Sequence, residues 1–257
     1  MKTILILFIL FISSSNSQIF IDTVFSFTSG TIQFAGQSPE YYPNNIFNSP
    51  SIYGTKYIAE TRPEEILSIG LNGEIIIGLK NNLIIDKEGA DFTIFENAFV
   101  NQFNEVMYAE PAIVSVSKDG INYIEFPYDI LTLEGLAGTK PTIGANNPFN
   151  PLKSGGNAFD LATIGIDSVR YIKIKDITEQ ILNNSEHPNY DPTLSGFDLD
   201  AVAIINHSDY VSSVELISAT KDETYFYDLL GNRINNLNNY SGLYFIYSNN
   251  NIGKYVK

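Results

Sequence analysis

Ala112-Ile113-Val114-Ser115-Val116-Ser117, then Lys118-Asp119-Gly120, then Ile121-Asn122-Tyr123-Ile124-Glu125-Phe126, is the stretch that decides the fold. The first segment alternates apolar and small polar residues with period two, which places successive side chains on opposite faces of a strand. Asp119-Gly120 supplies the positive φ that a tight hairpin turn requires, and residues 121–126 alternate back. Similar strand-length signals lie on both sides. Gly73 to Leu79 contains Glu-Ile-Ile-Ile-Gly-Leu, and Phe92 to Phe95 is a short apolar run. Val169 to Lys175 sets Val, Tyr, Ile and Ile against Arg, Lys and Lys, as expected of a strand with one solvated face. Ala201 to Ile205 reads as a buried strand. Helical periodicity is confined to possible single turns at Pro63 to Ser68 and Ile177 to Leu182. The pattern predicts an all-β, jelly-roll-like sandwich of short strands joined by loops rich in Pro, Gly and Asn, notably at 37–53 and 135–157.

The chain begins with Lys2, an apolar run ending at Ile12, and the small polar residues Ser13 to Ser17. This is the layout of a cleavable signal peptide over residues 1–17, and the run is shorter than the roughly 20 apolar residues that span a bilayer. No later stretch is long and apolar enough to span. The 257 residues contain no Cys, so neither disulfides nor a lipid-bearing cysteine is expected. Twenty-nine acids against fifteen bases give a net charge of −14, and signal cleavage would remove Lys2 and no acid. Such a surface repels phosphate backbones, which argues against a nucleic-acid partner. The division predicted is signal 1–17, β-sandwich 18–206, linker 207–213 and a small β-rich unit 214–257.

Carboxylates beside apolar strands are the best-placed polar groups. In Phe197-Asp198-Leu199-Asp200-Ala201, period two sends Asp198 and Asp200 to one face and Phe197, Leu199 and Ala201 to the other. Asp91, Glu96 and Glu110 stand at comparable strand entries. Ca²⁺ takes roughly six to eight oxygen ligands, several of them carboxylates, so a subset of Asp91, Glu96, Glu110, Asp198 and Asp200 is the predicted metal site. The alternative is that these acids cap turns, accept backbone N–H bonds, or pair with Arg170 or Lys173. His187 and His207 are the chain's two histidines and lack the spacing of a metal or nucleophile constellation. A nucleophile elbow and a phosphate-cradling glycine loop are absent. Tyr41, Tyr42, Tyr53, Tyr57 and Tyr190 fall in loops, where they suit either a binding rim or loop anchors.

Two resemblances add to this. Tyr225-Phe226-Tyr227-Asp228-Leu229-Leu230-Gly231-Asn232-Arg233-Ile234, then Ser241-Gly242-Leu243-Tyr244-Phe245-Ile246, then Gly253-Lys254-Tyr255-Val256-Lys257, resembles the C-terminal sorting domain of type IX secretion cargo in Bacteroidetes. It lacks that family's early Pro-Asn-Pro strand. The resemblance implies recognition by the type IX machinery and delivery to the outer cell surface or the medium. The body resembles uncharacterised bacterial cell-surface β-sandwich proteins. That likeness rests on Phe95-Glu96-Asn97-Ala98-Phe99, Ser117-Lys118-Asp119-Gly120 and Gly196-Phe197-Asp198-Leu199-Asp200-Ala201-Val202. The Ser-x-Asp-Gly hairpin followed by Arg170-Tyr171-Ile172-Lys173-Ile174 is similar to discoidin-like, galactose-binding jelly rolls, which implies fold and not function. The leading expectation is a non-enzymatic surface protein that binds a glycan or another nutrient. A structural or adhesive surface protein without a small ligand is the second reading, and a carboxylate-pair glycoside hydrolase the third.

Overall fold

The computed structural model describes residues 19–209, 225–228, 234, 243–248 and 251–256. The predicted signal peptide, residues 1–17, lies outside them. The chain divides near residue 210 into two units. In the larger, eight strands build two antiparallel sheets: β1 (Ile19–Phe20), β2 (Glu74–Gly78), β3 (Phe92–Glu96), β4 (Ala112–Ser117), β5 (Ile124–Glu125), β6 (Asn157–Phe159), β7 (Tyr171–Asp176) and β8 (Asp198–Ile204). The first sheet has the order β1-β8-β3-β6 and the second β5-β4-β7-β2. The outermost strands in sequence are neighbours in space and the chain crosses repeatedly between sheets, which is jelly-roll topology. Leu67–Ser68 adds to the first sheet beside β8, and Thr23–Thr28 extends the second beside β2.

The core is what the alternation demands. Ile75 and Ile77 of β2, Val114 and Val116 of β4, and Ile172 and Ile174 of β7 face Phe92 and Ile94 of β3 and Leu199, Val202 and Ile204 of β8. Burial of each such side chain contributes about 1.5–3 kcal/mol before entropy is counted. One face assignment differs from the period-two reading. The register between β8 and β3 shifts between Leu199 and Ala201, so Asp200 is a bulge residue. Beyond the bulge the alternation resets. Val202 and Ile204 point into the core, while Ala201 and Ala203 pack with Phe95 on the opposite face, where Phe20 and Phe149 cover them.

Two local expectations also change. The return strand of the opening hairpin is only Ile124–Glu125, paired with Val116 and Ser115. The Asp119 carboxylate accepts the N–H groups of Ile121 and Asn122, both at 2.8 Å, and holds them in the turn instead of the ladder. Residues 63–65 form one turn, but Leu67–Ser68 is extended and pairs with Leu199 and Asp198. Thr178–Leu182 is helical, as the sequence suggests.

The short connections of the jelly roll gather at one end and the long ones at the other. Segments 29–73, 97–111, 126–156 and 177–197 all leave or enter the sheets where β3 and β7 end and β4, β6 and β8 begin. At the opposite end, Asn82–Ile85 pairs with Ser168–Val169 and with His207–Asp209. His207–Asp209, expected to open the linker, is therefore a strand of the sandwich unit. The rest of the predicted linker, 210–213, lies outside the described residues. In the smaller unit, Tyr225–Asp228, Leu243–Ser248 and Asn251–Val256 form a three-stranded antiparallel sheet.

Candidate functional site

Long loops on a packed scaffold are where binding groups concentrate. The loop-bearing end also holds most of the buried acids: Glu60, Glu96, Glu110, Asp176, Asp198 and Asp200 are each at most 4% exposed. The five residues predicted as metal ligands fall into three places.

Asp91 stands apart, at the short-loop end. Its carboxylate accepts the backbone N–H groups of Lys87 at 3.0 Å and Leu161 at 2.9 Å, and the Asn206 side-chain amide at 2.9 Å. Asp86 and Asp160 are its acidic neighbours. Among the described residues, these three alone bring one carboxylate oxygen each to within 4.8 Å of one another. Asp160 also caps the turn Leu161–Ile164 by accepting the Ala162 N–H.

Glu96, Glu110 and Asp198 come together at the loop-bearing end. Glu96 closes β3 and Asp198 opens β8, with Asp198 N–H 3.4 Å from Glu96 Oε1. Gln33 Nε2 and Asn97 Nδ2 donate to Asp198 Oδ2 at 3.1 and 2.9 Å. Glu110 Oε1 accepts the N–H groups of Ser195 and Gly196, the latter at 2.9 Å, together with Ser195 Oγ. Gly196 has φ +114°, and a Cβ there would sit 2.5 Å from the Gly70 carbonyl carbon, so the close packing of this turn on Gly70 and Leu71 requires glycine. Burial is the main cause that raises these acids' proton affinity; repulsion adds to it, from Glu110 and Asp198 at Glu96, from Asp198 at Glu110, and from Asp176 at Asp198. Glu96 is raised well above the ordinary carboxylate range, Glu110 to about 8 and Asp198 to about 6.

Asp200 occupies the third place. The bulge turns it toward segment 51–62, where the Ser51 N–H meets both of its oxygens at 3.1 and 3.2 Å. Burial, with the nearby Glu60 charge, pushes Asp200 up to about 8. Glu60 itself is held at about 2. Burial opposes this, but hydrogen bonds from Arg62, Ser51 and Thr61 outweigh it. Asn97 Nδ2 also donates to the Glu60 carbonyl at 3.1 Å, which ties this place to Asp198.

Sequence reasoning missed Asp176 and Glu60. Asp176 ends β7 fully buried. It accepts the N–H groups of Asn72 and Phe197, both at 2.9 Å, and both donors of Thr178, the N–H at 3.2 Å and Oγ1 at 2.7 Å. An acid closing an otherwise apolar–basic alternation, directly before Ile177, is the signal that marks it. Neither Arg170 nor Lys173 forms an ion pair with the five predicted acids. Among the described residues the acids of this end have one ion-paired base, Arg62, 2.7 Å from Glu60 and 3.5 Å from Glu65. His187 is structural: Nδ1 accepts the Asn189 N–H at 3.1 Å, so Nε2 carries the proton and donates to the Ile130 carbonyl at 2.8 Å.

The loop tyrosines divide. Tyr42 packs on Phe27 as an anchor, with centroids 5.5 Å apart. Tyr53 is 62% exposed and Tyr57 44%, both on segment 51–58, which also presents Ile52 and Ile58. The Arg62 guanidinium lies 4.3 Å from the Tyr53 ring centroid, backing the ring while Glu60 and Ser51 hold the arginine. A separate cavity of about 240 Å³ lies beside edge strand β6, with Phe126, Leu136 and Phe159 in its floor and Lys140 and Asp160 at its rim.

No protein-family model matches the chain, and no curated protein does. Among solved structures, a glycoside hydrolase is similar with a TM-score of 0.34 and 11% identity, over 74% of this chain and 32% of that one. The chain thus spans about a third of that protein's length, and similarity at this level carries no argument about activity.

Proposed function

We propose that this protein is a non-enzymatic binding module, exported to the cell surface or the medium, and that its loop-bearing end holds a glycan or another ring-bearing nutrient. The observation that carries the reading is the contrast at that end. The acids are sequestered, and an aromatic pair on segment 51–58 is presented to solvent. Tyr53, backed by Arg62, and Tyr57 offer flat faces that stack on the C–H face of a sugar ring, and a fixed aromatic loses little entropy on binding. The carboxylates do not suit glycoside hydrolysis. That reaction needs two acids touching the substrate from either side of a cleft, whereas Glu96, Glu110, Asp198 and Asp200 are at most 3% exposed, beneath the protein's own loops. Export rests on the signal-peptide reading of residues 1–17, and passage through the type IX machinery on the tail's resemblance. No helix among the described residues is long and apolar enough to cross a membrane.

A glycan array probed with the mature chain tests the reading, alongside a reducing-sugar assay on whatever glycan is retained. Retention without turnover is expected. Turnover abolished by Glu96→Gln would replace the proposal with the hydrolase, and an array with no retained glycan or nutrient would leave the structural or adhesive reading in its place. Protease accessibility on intact cells checks the address.

A further inference from the structure

Six buried side-chain atoms lack a hydrogen-bond partner among the described residues, and three of them belong to adjoining residues: Ser68 Oγ, Glu96 Oε2 and Asp198 Oδ1. Ser68 faces Asp198 across the ladder, and its hydroxyl lies beside that carboxylate without a hydrogen bond of normal geometry. Glu96 pairs with the next residue, Leu199. All three side chains are at most 1% exposed. A buried oxygen with no donor costs about 1–3 kcal/mol, and more when it carries charge. Here two carboxylates and a hydroxyl share that deficit, Glu110 adds a third acid, and no lysine or arginine of the described residues is within ion-pairing distance.

We propose that Glu96 and Asp198, with the Ser68 hydroxyl, hold a calcium ion beneath the loop-bearing end. The donors are all oxygen, with no imidazole or thiolate, which selects a hard cation over zinc or copper. Calcium tolerates irregular coordination and completes its shell with carbonyls and water, whereas magnesium demands a near-octahedral set. Glu110 supplies charge from just outside, since its own oxygen already accepts from Ser195 and Gly196. The ion would join the segments carrying Ser68, Glu96 and Asp198, which include the ends of β3 and β8, and so set the platform on which the long loops stand. Asp86, Asp91 and Asp160 are a poorer place. Their oxygens lie closer together, but Asp91, the buried member, has both oxygens occupied by three N–H donors.

Terbium, a luminescent stand-in for calcium, provides the test on the full chain after chelator treatment. The chain has no Trp, so sensitised emission must come from tyrosine. Tyr108 is the donor at hand, close enough for the Glu96 and Glu110 charges to act on its hydroxyl. Saturable emission that calcium displaces is expected, together with a calcium-dependent rise in melting temperature. Tyr108→Phe should dim the emission and leave the thermal shift intact, and Glu96→Gln should abolish both. Should Glu96→Gln fail to fold, Ser68→Ala serves: it should weaken calcium binding by about tenfold or more. The proposal is overturned if millimolar calcium gives neither displacement nor thermal shift, if Ser68→Ala binds as tightly as the parent, or if Asp91→Asn alone abolishes the response. None of these measurements uses a glycan, so their failure is distinct from failure of the binding reading.

Discussion

Replacing Asp176 with alanine removes the acceptor at the junction between β7, the turn at Asn72 and the entry to β8. Three backbone N–H groups then lose their partner: Asn72 and Phe197, each bonded at 2.9 Å, and Thr178 at 3.2 Å; the Thr178 hydroxyl loses one too. A buried donor left unsatisfied costs about 1–3 kcal/mol, so three would cost about 3–9 kcal/mol if none found water. Two effects reduce this. Burial already disfavours the Asp176 charge, raising its pKa, so removing it recovers part of the desolvation cost. Asn72 also stands at the surface, where water replaces the lost acceptor. Thr178 and Phe197, both fully buried, have no such recourse. The expected net loss is about 3–5 kcal/mol, in the range found when one partner of a buried charged network is removed. Asp176→Asn keeps one acceptor oxygen and should lose about half as much. Urea unfolding of the chelator-treated chain, followed by far-UV circular dichroism, measures both. A change below about 1 kcal/mol for Asp176→Ala would refute the claim that this carboxylate ties the loop-bearing end together.

Other outcomes follow from the same geometry. Without calcium, stability should fall as pH rises. Glu110 and Asp200 are both raised to about 8 in the folded chain, so the fold retains protons that the unfolded chain releases. Their contribution is full below about pH 4, where both states are protonated, and is lost as pH climbs through about 8, with a slope of about 1.4 kcal/mol per pH unit for each group. A urea midpoint that rose between about pH 5 and about pH 8 would contradict the sign. Gly138→Ala should destabilise by at least about 1–3 kcal/mol, because its φ of +74° is left-handed and the new Cβ would lie 2.4 Å from the Glu110 carbonyl; thermal unfolding would show it. Tyr53→Ala and Tyr57→Ala, on exposed positions, should each leave stability within about 0.5 kcal/mol of the parent.

The fold was legible where one periodicity governs a segment. The Ile-rich run at 74–78, the Phe92 strand and the alternation at 171–176 place themselves, and the hairpin at Asp119-Gly120 announces its own turn. What could not be read was set by contacts across the sheets. A bulge has no mark in Phe197-Asp198-Leu199-Asp200-Ala201. It arises from the partner register, and it sends Ala201 to the face opposite Phe197 and gives Asp200 to segment 51–62. The site was half legible for the same reason. Glu96, Glu110 and Asp198 stand at strand ends, and jelly-roll topology brings those ends together. Asp91 shares the local chemistry of a strand entry but sits at the other end of β3, about five residues or roughly 16 Å along an extended chain. Asp176 and Glu60 looked like ordinary polar residues until the loops folded over them.

The claim that the long-loop end is the binding end is tested most directly by titrating the retained glycan into the parent, into the Tyr53→Ala/Tyr57→Ala double variant, and into Ile121→Ser at the opposite end, with calorimetric readout. The account predicts at least about tenfold weaker binding for the tyrosine variant, about 1.4 kcal/mol, at unchanged melting temperature, and parental affinity for Ile121→Ser. Parental affinity in the tyrosine variant, or a loss confined to Ile121→Ser, would contradict it.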